Sequence, residues 1–551
     1  MHRPSRHRLP TLDTVRLVLA PALVFIVTGL DRGYQTELWQ HLARGRLVAR
    51  EHAIVSADRF TFTVPGRPLL DNNWLSQLAY YALHQLGGPD LIQLANSLTL
   101  AAALALLVHL CRRQSHSTRV AAACGVFAFL GLWQTLLVRP QSFSILLFVA
   151  LHALLLAAER RPRLLLLVPP IMALWANVHG GFAVGLLLAG AFAAARVCQS
   201  LRRFNWRAAV PWLLCPAASL AATLLNPYGW RVYEYAGSLS SLGVARGIEE
   251  WLPPSPSTLV GGAFVASVIL TAGLALPNRR RISLREIFVL AAFLLPACFA
   301  VRMTVWWFLA AAPIAARWAA AWARRDASVS LSPVPGGVGR GEGPPQSDIS
   351  NLKSQISNLK SQIEEPLTPT LSPGYGGEGE SSAHSSAAAA LAVAILLAVC
   401  LASVPGFERY SPLTRFVRST HRTEADLAAL ASTLPQSSPN ESHIFARLEW
   451  ANYLAWQSDG RLPVFAEGHV ELYPPQTWAQ YTTVNDGAPG WRRVLDQHAV
   501  RFLLLDQTYH ARLLSEVRTS PEWEPRGRSG DALLFERRAA AHDLASTDSG
   551  D

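Results

Sequence analysis

Apolar runs separated by short polar connections dominate the first 325 residues of the chain. A helix needs about 20 apolar residues to cross a bilayer, and runs of about that length with few or no charges recur here, with one more after a polar gap. They predict an α-helical polytopic membrane protein with about eleven transmembrane helices. The predicted spans are 14–30, 90–111, 120–138, 141–158, 164–178, 181–198, 208–225, 257–276, 286–301, 303–323 and 386–404.

Arginine clusters fall in alternate connections between these spans, which is typical of loops that stay in the cytoplasm. We therefore predict a multi-pass protein of the cytoplasmic (inner) membrane with a cytoplasmic N-terminus. The net charge of +11 lies in such clusters and forms no basic stripe mixed with aromatic residues, so nucleic acid is not expected as a partner. The clusters are Arg112, Arg113 and Arg119; Arg160, Arg161 and Arg163; Arg202, Arg203 and Arg207; Arg279, Arg280, Arg281 and Arg285; Arg324 and Arg325.

Composition then divides the chain into parts. Proline, glycine and serine are frequent at 326–385, where the tandem repeat "ISNLKSQISNLKSQI" supplies only two heptads, so a disordered cytoplasmic linker with an inserted heptad repeat is predicted. The expected order is a membrane domain at 1–325 with a large first outer loop at 31–89, the linker, a last transmembrane helix at 386–404, an extracytoplasmic domain at 405–540 and a tail at 541–551.

The hydrophilic segment after the last span alternates strand-like and helix-like stretches, so it predicts a small C-terminal extracytoplasmic α/β domain. The predicted strands are "HIFAR", "LPVFAE", "VRFLLLD" and "ALLFERR", and the predicted helices are "EADLAALASTL", "GWRRVLDQH" and "YHARLLSEV".

The same alternation of loops places many polar residues on the outer face. Ionisable groups at membrane depth are costly and usually face a protein interior or a wet cavity, so we expect one outward-facing polar pocket. Each residue has a plainer reading as a headgroup anchor, a helix-end residue or a solvated carboxylate, and the joint pattern is the stronger signal. The candidates are Asp31, Glu37, His41, Asp58, Asp71, Arg139, Asn177, His179, Asn226, Glu250 and Arg302.

Several motifs in this order resemble those of bacterial multi-spanning glycosyltransferases of the GT-C superfamily, in the mannosyltransferase-like and lipopolysaccharide-core transferase-like groups. The resemblance covers nearly the whole chain except the linker. The motifs are "ELWQHLARGRLV", "SADRFTFTVPGRPLLDNNWLSQLAYYALHQLGG", "LWANVHGGFAVG", "LLNPYGW", "IEEW", "EWANYLAW", "LPVFAEGHVELY" and "VRFLLLD".

This resemblance implies transfer of a sugar from a polyprenyl-phosphate carrier to an envelope glycan, lipid or protein acceptor, at the outer surface of the lipid bilayer. It also implies that an acidic residue of the first outer loop acts as general base or helps to hold a divalent cation. Glu37, with Asp31 as a nearby substitute, is the catalytic candidate. Arg139 and Arg302 are placed to meet the phosphate, whose oxygens suit a guanidinium group, and the remaining candidates are expected to bind substrate.

The chain departs from the family pattern at several acidic positions. An Asp-x-Asp-like pair reads Gln35 and Glu37 here, and the acidic position before Trp74 is Asn73. An Asp-Gly-Arg sequence in the outer module reads Glu467-Gly468-His469. Two alternatives therefore stay open beside the transferase: a non-catalytic GT-C-like membrane protein that binds lipid-linked glycans, and a transporter of a lipid-linked sugar.

Overall fold

The computed structural model of the protein describes residues 10–30, 37–234, 237, 246, 248–329, 378–405, 422–434 and 443–538. Asp31, Gln35, most of the predicted linker and the tail at 541–551 lie outside these residues.

Helices form the membrane part of the chain, and each predicted span overlaps one of them. Within the described ranges, five helical segments are long and apolar enough to cross a membrane, namely Leu12–Leu30, Trp74–Ser115, Gln141–Ala158, Phe182–Arg203 and Leu259–Arg281. The chain is thus polytopic, and the number of about eleven spans stays a prediction. The helices are α1 (Leu12–Leu30), α2 (Leu38–Glu51), α3 (Trp74–Ser115), α4 (Thr118–Gly131), α5 (Gln141–Ala158), α6 (Val168–Val178), α7 (Phe182–Arg203), α8 (Val210–Thr223), α9 (Leu259–Asn278), α10 (Leu284–Phe299), α11 (Thr304–Val329) and α12 (Glu378–Ala402).

Local sequence explains where several of these helices begin. Ser117 and Thr258 precede α4 and α9, and each hydroxyl accepts a hydrogen bond from a backbone N–H of the first turn. Before α10, Ser283 and Glu286 form a reciprocal capping box. These side chains bond backbone N–H groups that lack a partner within the helix.

The helix α3 is interrupted near its first third. Gly88 has a φ of 66°, a left-handed conformation that favours glycine, and Gly87 beside it is also non-helical. The break separates a first segment, residues 74–86, from a longer part whose buried leucines join residues of α1, α4, α5 and α11 in one core cluster.

Connections between the helices gather at two ends of the bundle. The end with the arginine clusters is called the basic end. There, Nη2 of Arg196 in α7 lies 3.3 Å from Oε1 of Glu159, which directly follows α5. At the opposite end, which we call the loop end, the N–H of Val301 donates to the carbonyl of Leu252 at 2.8 Å. The alternation predicted from the sequence therefore fits these contacts. The connections at the loop end include residues 37–73, 132–140, 179–181, 224–234, 248–258 and 300–303.

The C-terminal part contains a small mixed sheet with helices, as the sequence predicted. The strand order is β1-β2-β4-β3, with β1 parallel to β2 and the other two pairs antiparallel. The elements are α13 (Arg422–Ala431), β1 (Ile444–Ala446), α14 (Leu448–Gln457), α15 (Pro475–Asn485), α16 (Trp491–Gln497), β2 (Phe502–Asp506), α17 (Ala511–Thr519), β3 (Trp523–Ser529) and β4 (Ala532–Arg537). We call residues 422–434 and 443–538 the C-terminal module.

The module differs from the sequence-based expectation at two strands. The predicted strand "LPVFAE" is wrong, because only Val464 forms bridges, one to Ile444 and one to Thr61 of the first loop; Pro463 beside it has no N–H to donate. The strand β3 was not predicted, since "WEPRGRS" contains proline, glycine and charges, and its ladder is irregular between Pro525 and Gly527.

The first loop and the C-terminal module share a hydrophobic core. Trp39 of α2 meets Tyr453 of α14 edge to face, with ring centroids 5.1 Å apart. The hydroxyl of Thr63 donates to the carbonyl of Phe465 at 2.6 Å. Leu38 and Leu42 belong to the same buried cluster as residues of α14, β2 and β4. The two segments form one packed unit at the loop end.

Candidate functional site

Glu37 stands immediately before α2 at the loop end, with a side chain that is 41% exposed. One carboxylate oxygen lies 3.8 Å from Nη2 of Arg139, and the other lies 3.9 Å from Nε2 of His41, one helical turn further on. Neither distance is a hydrogen bond. The carboxylate is therefore held near two nitrogen groups and still has room for a further partner.

Arg139 links Glu37 to a second carboxylate. Its Nη1 is 2.5 Å from Oε1 of Glu250. The two carboxylates, Glu37 first, raise the pKa of Arg139 although burial acts to lower it. Burial would raise the pKa of Glu250, but Arg139 and then Arg302 lower it overall. Both sides of this ion pair consequently stay charged.

A cleft opens beside this ion pair. Arg139, Glu250 and Arg302 line this small cleft together with Thr135 and Thr304. The Arg302 guanidinium lies over the ring of Trp251, 4.3 Å from its centroid, which fixes the cation at the edge of the cleft. Three of the predicted substrate-binding residues are thus brought to one cleft, with Glu37 next to it.

His41 lies behind Glu37 and is buried. The Gln77 amide NH₂ donates to Asp71 at 2.6 Å and contacts Nδ1 of His41 at 3.3 Å. Since an NH₂ group only donates, Nδ1 accepts and the proton of a neutral imidazole sits on Nε2. Burial lowers the pKa of His41 to about 3, against an opposing effect of Asp71, so the ring is neutral near pH 7. Its Nε2–H faces Glu37 without a hydrogen-bond partner.

A second ion-pair cluster lies deeper, between α2 and the C-terminal module. Arg44 is fully buried, with Nη2 2.7 Å from Oε1 of Glu467 and Nε 3.6 Å from Oδ2 of Asp71. Burial opposes charge on Arg44, but Glu467 and Asp71 raise its pKa overall. Burial would raise the pKa of Asp71, yet Arg44, His469 and the Gln77 hydrogen bond lower it. Asp71, a predicted substrate-binding residue, is therefore already paired inside the protein.

Asp58 closes its own turn in the first loop. Its carboxylate accepts hydrogen bonds from the N–H groups of Phe60 and Thr61, at 3.3 and 3.2 Å, and from the Thr61 hydroxyl at 2.7 Å. Burial raises the pKa of Asp58. The structure places this residue in the first loop, where its hydrogen bonds shape the turn.

Asn177 and Asn226 join neighbouring connections of the loop end. Asn177 Oδ1 accepts from the Trp74 indole N–H at 2.9 Å, while its amide donates to the carbonyl of Leu225 at 2.9 Å. The Asn226 amide donates to the carbonyl of Ala176 at 2.7 Å. Both side chains thus hold the loops that surround the cleft.

His179 follows α6 and is bonded within the protein. Its Nδ1 accepts from the N–H of Gly181 at 3.0 Å and lies 2.8 Å from the hydroxyl oxygen of Ser144, which accepts from the Trp175 indole N–H at 2.7 Å. Burial lowers the pKa of His179 to about 3, and the positive charge of Arg302 adds to this shift. The residue is therefore a neutral imidazole near the arginines of the cleft.

Arg44 and Gln77 have roles in this region that were not predicted from the sequence. A signal for Arg44 was present, because Glu37, His41 and Arg44 are spaced i, i+4 and i+7 and so share one face of a helix. No comparable pattern marks Gln77, whose contacts depend on how α3 packs against α2.

The described residues do not fit a divalent cation. No group of three or more His, Cys, Asp or Glu side chains among them could hold a metal ion. Glu37 and Glu250 contact Arg139, and Asp71 and Glu467 contact Arg44, so these four carboxylates already face a guanidinium.

The architecture was compared with known proteins. No family model and no curated protein matches the chain. Among solved structures, the chain is similar to ArnT from Cupriavidus metallidurans in the apo state, with 16% identity, 94% of this chain and 96% of that chain covered, and a TM-score of 0.47. ArnT bound to undecaprenyl phosphate gives 14% identity, coverage of 95% and 98%, and a TM-score of 0.45.

A third similar structure is the archaeal oligosaccharyltransferase AglB from Archaeoglobus fulgidus, in complex with an inhibitory peptide and a dolichol-phosphate. It shares 10% identity, with 96% of this chain and 74% of that chain covered, at a TM-score of 0.46. The AglB structure contains a dolichol-phosphate, and one of the two ArnT structures contains undecaprenyl phosphate. A TM-score below 0.5 describes a general likeness of architecture and assigns no role to any residue of this chain.

Proposed function

We propose that the protein is a membrane glycosyltransferase that moves a sugar from a polyprenyl-phosphate carrier to an envelope acceptor. The observation that carries this proposal is the partly exposed Glu37 carboxylate beside Arg139, next to a cleft that also holds Glu250 and Arg302. A carboxylate with room for a partner, beside Arg139 and next to a cleft that Arg302 also lines, suits a reaction in which a proton and a phosphate are handled at neighbouring points.

The chemistry assigns these groups separate tasks. Glu37 removes the proton from an acceptor hydroxyl while the oxygen of that hydroxyl forms a bond to the anomeric carbon of the sugar. The configuration at this carbon is inverted. The bond from that carbon to the phosphate oxygen breaks, and the polyprenyl phosphate leaves with the electron pair. Arg302, and Arg139 beside it, stabilise the phosphate, because charge-assisted hydrogen bonds from guanidinium groups match its oxygens.

The proposal includes an orientation in the membrane. The basic end carries the arginine clusters and is assigned to the cytoplasm, with the N-terminus. The loop end and the C-terminal module then face outward from the inner membrane, where a lipid-linked sugar and the acceptor meet.

A second candidate is a non-catalytic membrane protein that binds lipid-linked glycans. It is favoured by two departures from the family pattern. Glu467 is used in the buried ion pair with Arg44, and the acidic position before Trp74 is the amide Asn73. A transporter is supported less, since the polar groups of the site gather at one end of the bundle.

Native mass spectrometry of the gently solubilised protein tests the proposal through the lipid that stays bound. We expect a retained polyprenyl phosphate or its glycoside, lost in Arg302→Ala and kept in Arg161→Ala, a control at the exposed basic end. Ordinary phospholipids alone, unchanged by Arg302→Ala, would contradict the proposal. Retention without turnover of any polyprenyl-linked sugar would favour the non-catalytic candidate.

A further inference from the structure

Tyr80 is a large buried residue whose hydroxyl has no hydrogen-bond partner in the described structure. It lies on the first segment of α3 and is 2% exposed. Its ring packs against Phe143, with centroids 5.7 Å apart, so the ring position is explained by packing alone. Packing does not explain the hydroxyl oxygen, because a phenylalanine ring would make the same contacts without it.

Burying a hydroxyl without a partner costs free energy, and buried polar groups in folded proteins nearly always find one. Tyr473 gives the usual case in this same chain. It is also buried, and its hydroxyl accepts a hydrogen bond from the N–H of Glu467 at 2.7 Å. Tyr80 differs because none of the described residues partners its hydroxyl, which points to a bound molecule.

The surroundings of Tyr80 indicate the kind of molecule. The Glu37 carboxylate acts electrostatically on the Tyr80 hydroxyl, and the His41 ring lies 6.4 Å from the Tyr80 ring, centroid to centroid. His41 contributes a second unpartnered donor, its Nε2–H. The Tyr80 hydroxyl and the His41 Nε2–H are neutral donors close to the Glu37 carboxylate, which is an acceptor. Such a set matches a ligand with several hydroxyl groups, because each hydroxyl can both accept and donate a hydrogen bond.

A sugar ring is such a group, whereas a polyprenyl chain has no polar atom to offer. A phosphate matches less well, because its charge is attracted to Arg139 and Arg302 at the cleft and repelled by Glu37. The donors Tyr80 and His41 and the acceptor Glu37 together suit the hydroxyls of a neutral hexose.

We propose that Tyr80 is a sugar-binding residue whose hydroxyl donates a hydrogen bond to a hydroxyl oxygen of the hexose carried on the polyprenyl phosphate. This inference rests on the proposed function and adds to it a residue and a substrate class, a neutral hexose. Tyr80 takes no proton in the reaction and acts by binding the sugar beside Glu37.

The variant Tyr80→Phe tests this assignment because it removes one oxygen and keeps the packing with Phe143. Wild type and variant are loaded in detergent with undecaprenyl phosphate or with undecaprenyl-phosphate hexose, and retention is measured by native mass spectrometry. We expect about tenfold less retention of the hexose-bearing carrier in the variant, equivalent to one lost hydrogen bond. Retention of the bare carrier and the melting temperature without ligand should not fall.

Tyr473→Phe is the matched control, since it removes a buried hydroxyl that has a partner. It should lower the melting temperature and leave the ratio of the two retained carriers as in wild type. A lowered melting temperature in Tyr80→Phe, or equal retention of the hexose-bearing carrier, would overturn the Tyr80 assignment and leave the proposed function in place. Wild-type protein that retains neither carrier would instead overturn both.

Discussion

Two arginines of this protein each lie between two carboxylates, in opposite surroundings. Arg44 is buried with Asp71 and Glu467, and all three side chains are 1% exposed. Arg139 is 19% exposed and lies between Glu250, which lines a cleft, and the partly exposed Glu37. The first cluster is closed by protein on every side, while the second is open on one.

The difference separates a structural ion pair from a binding site by physical criteria. A buried charge loses its hydration, so removal of one partner leaves the other uncompensated. In the open cluster, water can replace a lost partner, and the remaining charge is free for a ligand. Substitutions should therefore change stability in the Arg44 cluster and ligand chemistry in the Arg139 cluster.

The largest effect is expected for Glu37→Gln. Loss of a general base should reduce sugar transfer by about 10²- to 10⁴-fold, with the melting temperature nearly unchanged because the carboxylate is partly exposed. Transfer is measured from a labelled polyprenyl-phosphate sugar to membrane acceptors. Glu51→Gln, at the other end of α2, is the control and should retain transfer. Equal loss in both variants would break the comparison.

Glu467→Gln tests the closed cluster. Because Arg44 would then lack its nearest carboxylate, the free energy of unfolding should fall by about 3 to 5 kcal/mol. Thermal unfolding in detergent measures the change, and Glu449→Gln, an exposed acid of the same module, should lie close to wild type. A stable Glu467→Gln protein with lost transfer would instead move this cluster into the functional site.

A smaller effect is expected from pH through His41. Its pKa is about 3 in the folded protein and ordinarily about 6.5. Below pH 6.5 the unfolded imidazole binds a proton that the folded one does not, so stability is complete above this value and falls as the pH falls toward 3. Between pH 7.5 and pH 5 the loss should be about 1 to 2 kcal/mol for this group.

Melting temperatures of wild type and His41→Gln at the two pH values check this expectation. The variant should show a shallower pH dependence, with His179 supplying a remaining part of the same sign, since its pKa is also about 3. An identical pH dependence in both proteins would show that His41 does not remain neutral inside the fold.

The smallest effect is expected for Arg50→Ala. Arg50 is 54% exposed and pairs with Asp459 across the same interface as Arg44, but at the surface. Exposed ion pairs contribute about 0 to 1 kcal/mol, and Arg46 also contacts Asp459, at 2.9 Å. A melting temperature close to wild type would confirm that burial, and not the number of ion pairs, gives the Arg44 cluster its weight.

Much of the membrane part could be predicted because long uncharged runs and arginine clusters are local signals. The alternation also predicted that Arg139, Glu250 and Arg302 would meet at one end of the bundle. Asp58 was assigned to the pocket although "DRFT" allows an aspartate to bond its own turn. In the structure, the Asp58 carboxylate bonds Phe60 and Thr61 of its own turn.

The partners of Asp71 could not be predicted from the sequence. They depend on how α2, α3 and the module pack, and no periodicity links residues in three separate segments. The same reason explains why "LPVFAE" was assigned as a strand. Its apolar residues are buried as a strand would require, but they connect the first loop with β1 and form no regular ladder.

The sequence distance between Arg44 and Glu467 has a consequence for synthesis. Their 423-residue separation means that the helix α2, which bears His41 and directly follows Glu37, leaves the ribosome long before the module that covers it. At about 5 to 20 residues per second, the wait is roughly 20 to 85 s. During that time, Arg44 lacks Glu467, and the face of α2 that packs against the module has no cover. The site is therefore complete only after the C-terminal module has been synthesised and folded, so a chain that stops early carries α2 without its cover.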